Sequence, residues 1–509
     1  MRTIMILSDS LNRRFLNAYG AEERVLTPNI DRLAARSVVF ENHWCGSAPC
    51  MPARRDILTG RLNFLERPWG GVEPFDHTLP NILRDESNTY THMETDHFHY
   101  AERGGENYWG HFTSWNLHRG TEHDTIFWGP DKNGIPHPVR PEGHAGIYSP
   151  SYEATRARYA QRQEEYSTPR TFTAAAQWLE KHHDADNFLL WVEGFDPHEP
   201  FDVPQTFLDL YDEAGPGGSE AYWPGYNTAD HYTQEEIASF RRRYKALVTM
   251  TDAYIGRLLD VLDRYGMWED TMVILTTDHG YMLGEHGFMV KNYMPDYNEV
   301  FHIPLMIAMP GVKPARTAAL TQNIDLFPTI LSYFGVPESA CRNPIHGKSL
   351  LPLLRGETAC VHDALLFGVF GKTVSVYDGR YVYMRRTVSE QNEPLFLYGS
   401  MMTLLNAYIG YDTMSDEEIL QIETGRFLPW TNYPVYKVPA RCCHWKSRMA
   451  FEHINDEIPQ EHLLFDLAQD YAQEHPVQDD ALEARMCALL KEQMLLHDSP
   501  QEQFTRLGI

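Results

Sequence analysis

The chain has 509 residues, 43% of them hydrophobic and 12% aromatic, enough to bury a large core. A formal net charge of −26 argues against nucleic acid and against an anionic membrane surface as partners. No apolar run reaches the roughly 18 residues needed to span a bilayer, and seven cysteines scattered along the chain make no disulfide framework.

In chain order, Thr3–Leu7 reads as a first strand, too short for a secretory leader, so a cytoplasmic location is expected. Thr27-Pro28-Asn29-Ile30-Asp31 opens a helix, with Thr27 as cap and Pro28 at the first helical position. The stretch from 100 to 235 is rich in Trp, His, Gly and Pro and weakly periodic, as loops covering a site would be. Within and after it, Phe188–Glu193, Met272–Thr276 and Pro304–Ala308 read as strands. A long helix is expected from Ile237 to Tyr265, where Tyr244, Leu247, Thr251, Tyr254, Leu258 and Leu262 recur at helical spacing. Lys372–Arg385 alternates like hairpin strands, and Asp480–Leu495 reads as an amphipathic helix.

The pattern is α/β: a large mixed, mostly parallel central sheet flanked by helices over 1–375, then a smaller C-terminal α+β subdomain over 376–509. A homo-oligomer is left open, with the tail after Leu495 as a candidate inter-subunit arm.

Four separated segments hold the chemistry. Asp9 ends the first strand, where a metal ligand is well placed. Asp278-His279-Gly280 follows another strand and leads on to Lys291; an adjacent carboxylate and imidazole can share one cation, with Gly280 allowing a sharp turn. Cys50 lies four residues before Arg54, a spacing that could activate a thiolate or hold a buried inert thiol. His198 stands between Pro197 and Pro200, a rigid setting for an acid, base or anion contact.

Cys-x-Pro-x-Arg at Cys50, Pro52 and Arg54, followed by Leu58-Thr59-Gly60-Arg61, resembles the sulfatase signature. Similar to that family too are Thr27–Ala34, the Asp196-Pro197-His198 segment, Thr277–Gly280 with Lys291, and Leu464-Phe465-Asp466-Leu467. The resemblance implies a hydrolase in which a maturation enzyme oxidises Cys50 to formylglycine. It implies one divalent metal, Ca²⁺ with Mn²⁺ as the alternative, held by Asp9, Ser10, Asp278, His279 and the residue-50 oxygen. Arg54 would orient the nucleophile, Lys291 and His97 would contact the anion, His198 would protonate the leaving group and His99 would act as base.

Three positions depart from the family pattern: Ser10 replaces a second Asp, Ala53 replaces Ser, and His97 stands where a Lys is usual. Ser10 and His97 resemble the branch with phosphonate monoester hydrolases and choline-sulfatase-like enzymes. The expected substrate is a small sulfate ester of a sugar or aryl alcohol. The alternatives are phosphonate or phosphodiester hydrolysis, and a non-catalytic binding protein with Cys50 unmodified.

Overall fold

The first strand, β1 (Arg2–Ser8), is buried throughout and lies near the middle of the main sheet. In this computed structural model, all residues are described except 103, 106, 131, 133, 135–145, 160, 212–220, 390, 405–406, 411–412 and 443–460. The main sheet adds β2 (Val38–Trp44), β3 (Tyr90–Thr95), β4 (Ser114–Leu117), β5 (Phe188–Gly194), β6 (Thr271–Thr276), β7 (His302–Ala308), β8 (Ala315–Thr317) and β9 (Thr321–Gln322). Their order is β8-β2-β7-β6-β1-β5-β3-β4, with β9 also on β2, and β7 alone runs antiparallel to its neighbours. The sheet is therefore mixed and mostly parallel.

Parallel strands are covered on both faces and so read as continuous apolar runs. On one face Ile4 and Ile6 pack with Phe172, Leu247 and Leu258; on the other Met5 and Leu7 pack with Ile57, Phe327 and Ile330. Helices α1 (Pro28–Ala34), α3 (Ser167–Lys181) and α4 (Gln234–Tyr265) supply the first layer, and α2 (Cys50–Thr59) lies in the second.

Three local details differ from the sequence reading. The long helix begins at Gln234, because Thr233 and Glu236 form a reciprocal capping box that the hydrophobic stripe does not signal. The start of α1 is capped not by the Thr27 side chain but by the Asp252 carboxylate of α4, which accepts from the backbone N–H groups of Asn29 and Ile30. And the region between 100 and 235 is not all loop: α3 buries Phe172, Ala175 and Leu179 at helical spacing.

A second sheet runs in the order Leu463–Asp466, Tyr381–Arg385, Val374–Tyr377, Leu365–Val369 and Ser47–Ala48, antiparallel except for the last pair. Residue 375 lies inside one of its strands, and the sheet reaches back to the residues just before Cys50. Helix α5 (Asp480–Leu496) covers it with Met486, Leu490 and Met494. The tail beyond Leu495 is not a free arm: helix Gln501–Leu507 folds back and buries Phe504 and Leu507 in the same core. Cys45, Cys50, Cys341, Cys360, Cys442 and Cys487 are free thiols, and Cys443 lies outside the described residues. Among the described residues no helix is long and apolar enough to cross a membrane.

Lys372 sits inside this second unit with, among the described residues, no hydrogen-bond partner for its Nζ, and burial pushes its pKa down to about 7. The unfolded chain then holds a proton that the native chain has released between about pH 7 and 10, so stability rises with pH through that window. Lys372→Met is expected to stabilise the fold near pH 7 by about 1–4 kcal/mol and to flatten the rise. Thermal melts at pH 7 and 9 test this; equal pH slopes in both proteins would show that Lys372 is solvated.

Candidate active site and metal centre

The site forms where strands end and α2 begins. β1, β5 and β6 are neighbours, and their register sets Glu193 beside Leu7 and Thr276, with Asp9 and Asp278 each two residues further on at the carboxyl end of the sheet. Cys50 opens α2 and Arg54 follows one turn later on the same face. Every one of these side chains is fully buried.

Arg54 is the hub. Its Nη2 reaches Asp9 Oδ2 at 2.8 Å, its Nη1 reaches Asp278 Oδ2 at 2.5 Å and its Nε reaches Glu193 Oε1 at 2.5 Å. Nη1 also donates to the Cys50 carbonyl at 3.1 Å, which ties the guanidinium to its own helix start. Burial opposes the charge on Arg54, but Glu193, Asp278 and Asp9 outweigh it and raise its pKa. Burial likewise works against ionised Asp9, and Arg54 and Lys291 overcome it to hold that carboxyl below its ordinary range. Glu193, also bonded to Trp191 and Tyr100, is instead raised by burial despite Arg54.

Asp9, Cys50, Asp278 and His279 each aim one ligand atom at a common point, all within 4.8 Å of one another. The Cys50 sulfur lies 3.1 Å from His279 Nε2 and 3.8 Å from Asp9 Oδ1. His279 Nδ1 donates to the Gly280 carbonyl at 2.7 Å, which leaves the Nε2 lone pair turned inward. Two carboxylates, a thiol sulfur and an imidazole lone pair directed at one point form a donor set that suits a divalent cation.

Ser10 stands one step out: it donates to Asp9 Oδ1 at 2.8 Å, accepts from Lys291 Nζ at 3.1 Å, and its N–H donates to Asp278 Oδ1 at 3.0 Å. Lys291 also pairs with Glu199 at 3.2 Å. Burial disfavours its ammonium, yet Cys50, Glu199 and Asp9 raise its pKa. Val290 and Asn292, on either side of it, both have left-handed backbones, φ 72° and 73°. Such strain on a β-branched residue marks a side chain held for a purpose. Gly280 serves a different end from the expected turn: a Cβ there would meet the Glu299 carbonyl at 2.0 Å.

The three loop histidines separate into two places. His97 faces the inner cluster, its Nδ1 3.5 Å from Asp9 Oδ2 and its Nε2 3.4 Å from the Met51 sulfur. Burial, with Arg54 beside it, pushes His97 well below the ordinary histidine range. His99 and His198 stand further out with Glu122, again with ligand atoms within 4.8 Å of one another. His99 and Glu122 line a cavity of about 340 Å³, together with Glu102, Glu199, Trp69, Trp223, Tyr226 and Phe370.

Of the aromatic residues in these loops, Trp69 lines the cavity. Tyr108 is a packing residue that donates to the Met51 and Gly70 carbonyls, Trp109 stacks on Trp115, and His111 bonds Asn81. Sequence reasoning missed Glu193, Glu122 and Glu199. An acid inside the apolar run Phe188–Gly194 was a visible signal for the first; Glu122 carried none.

Comparison with known proteins follows the same outline. A family model described as Sulfatase matches residues 2–336. A choline-sulfatase of Rhizobium meliloti is 28% identical over 410 residues, covering 75% of this chain and 77% of that protein. An N-acetylglucosamine-6-O-sulfatase of Bacteroides thetaiotaomicron is 25% identical, covering 70% and 71%. The crystal structure of a phosphonate monoester hydrolase of Agrobacterium radiobacter superposes with a TM-score of 0.64 at 18% identity, covering 99% of this chain and 96% of that one.

Glu193 shares Arg54 with Asp9 and Asp278. Glu193→Gln should leave Arg54 paired with those two carboxylates alone and weaken divalent-metal binding by about tenfold or more. Calorimetric titration measures this; an unchanged affinity would make Glu193 merely a packing partner of Trp191 and Tyr100.

Proposed function

The chain belongs to the sulfatase family, and from that premise we propose that it hydrolyses sulfate monoesters with a formylglycine made from Cys50. The observation that carries the reading is the convergence of Cys50 with Asp9, Asp278 and His279 around one point, bracketed by Arg54 and Lys291. The R. meliloti and B. thetaiotaomicron relatives are named as sulfatases.

A divalent cation at Asp9, Asp278, His279 and the residue-50 side chain would supply a Lewis acid for the ester oxygen; Ca²⁺ is the family's ion, and an imidazole ligand favours Mn²⁺. Formylglycine, as its hydrate, would supply one hydroxyl to attack and a second whose deprotonation expels the bound anion. Arg54 fixes the start of α2 and so the direction of the residue-50 side chain. Lys291, held over Ser10 and Glu199, binds the anion and the developing charge on the leaving oxygen. His198 is the proton donor to the leaving group, and His99 is the base for release of the anion. Burial pushes His198 well below the ordinary histidine range and Lys291 adds to this; an anion bound between them offsets that second effect.

The cavity of about 340 Å³ gives the leaving group room for roughly one ring, a sugar or an aryl alcohol. A second reading, phosphonate monoester hydrolysis, is compatible with His97, which stands where a lysine is usual and which burial pushes below the ordinary histidine range. A phosphonate monoester, also singly charged, meets the same donors.

The peptide containing Cys50, isolated after coexpression with a formylglycine-generating enzyme, should be lighter by about 18 Da than the thiol form. Cys50→Ala should fold and lose more than about a thousandfold in rate. A panel of aryl sulfate, sugar sulfate, phosphodiester and phosphonate monoester ranks the substrates; comparable rates in wild type and Cys50→Ala would overturn the nucleophile.

A further inference from the structure

The outer trio sits apart from the cluster that holds the first cation. His99 comes from the loop after β3, Glu122 from the loop after β4, and His198 from the loop after β5. All three are buried, at 6%, 7% and 1% exposure. His99 Nδ1 lies 2.8 Å from Glu102 Oε2, and His198 Nδ1 bonds the Glu199 carbonyl. An imidazole held through one nitrogen by a carboxylate or carbonyl is the usual support of a metal-bound histidine.

Glu122 points the same way. Among the described residues its Oε2 accepts no hydrogen bond, although His99 Nε2 is 3.4 Å away. Two ligands on one tetrahedral zinc, at bond lengths near 2.0–2.2 Å, lie about 3.3–3.6 Å apart. One ligand atom each from His99, Glu122 and His198 lies within 4.8 Å of the other two. The Glu122 backbone is left-handed, φ 43°, a conformation glutamate rarely adopts, and its carboxylate oxygens face the two rings. Burial raises Glu122 to about 7, and Glu199 and Glu102 around it add to the need for positive charge.

We infer that His99, Glu122 and His198 form a second metal site, selective for a zinc-class cation, on the wall of the leaving-group cavity. Two imidazoles and one carboxylate favour zinc over calcium. The open side faces the cavity, so water or an oxygen of the leaving group takes the remaining position. The consequence for turnover rests on the proposed roles of His198 and His99: rings engaged by zinc neither deliver nor take a proton, so zinc inhibits reversibly. The binding itself does not depend on those roles.

The test uses the full chain stripped of metal and dialysed against Zn²⁺, with bound metal counted by mass spectrometry. Asp278→Asn should lose the inner ion and keep one zinc, Glu122→Gln should lose the outer one, and the double variant should lose both. His99→Asn repeats the outer lesion from a different loop, and circular dichroism checks each fold. The outer affinity should fall by about tenfold or more in either outer variant. With a sulfate ester as substrate and Ca²⁺ in excess, zinc inhibition of wild type should vanish in Glu122→Gln, measured against that variant's own rate. Equal zinc content in Asp278→Asn and the double variant would overturn the site. Zinc binding without inhibition would leave the site standing and remove both His198 as proton donor and His99 as base.

Discussion

Everything in the centre depends on one buried cation. Arg54 has no contact with water, and a charge so placed is costly unless its hydrogen bonds are met. Asp9, Asp278 and Glu193 meet them from three different strands, so a single side chain on α2 locks the helix start to the carboxyl end of the sheet. Cys50, one turn earlier, is carried to its place by that lock. The same pairing settles the acids: Asp9 stays ionised because Arg54 and Lys291 outweigh burial.

The sheet supplies the precision. Leu7 pairs with Glu193 on one side and with Thr276 on the other, and the Asp9 N–H donates to the Gly194 carbonyl at 2.9 Å. A shift of one residue in either ladder would turn these acids to the opposite face. Parallel pairing by three fully buried strands makes that shift expensive, because every apolar side chain would leave its layer as well.

Histidine chemistry in the two clusters is set by what each ring's far nitrogen touches. His279 is turned by the Gly280 carbonyl, His198 by the Glu199 carbonyl and His99 by the Glu102 carboxylate. These partners come from loops, while the acids of the inner centre come from strand ends. The inner centre is thus built on the rigid sheet, and the cavity wall on segments that can differ between relatives without disturbing the core.

Much of the centre was legible because its signals are local. Cys50 with Arg54 is a one-turn helical spacing, and Asp9 and Asp278-His279 directly follow apolar strand runs. The α/β class and the principal strands followed from hydrophobic period alone. Pairing between distant polar groups left no such trace. Asp252 caps α1 across more than 200 residues, Glu193 reads as one acid in a strand until Arg54 is set beside it, and Glu122 meets His99 and His198 only where three loops converge. Hydrophobic period is a property of neighbouring residues, so the sequence by itself determined the layers and the strand-end residues. The partner of each buried charge is a property of chain crossings, so only the tertiary structure decided which acids hold Arg54 and which histidines share a carboxylate.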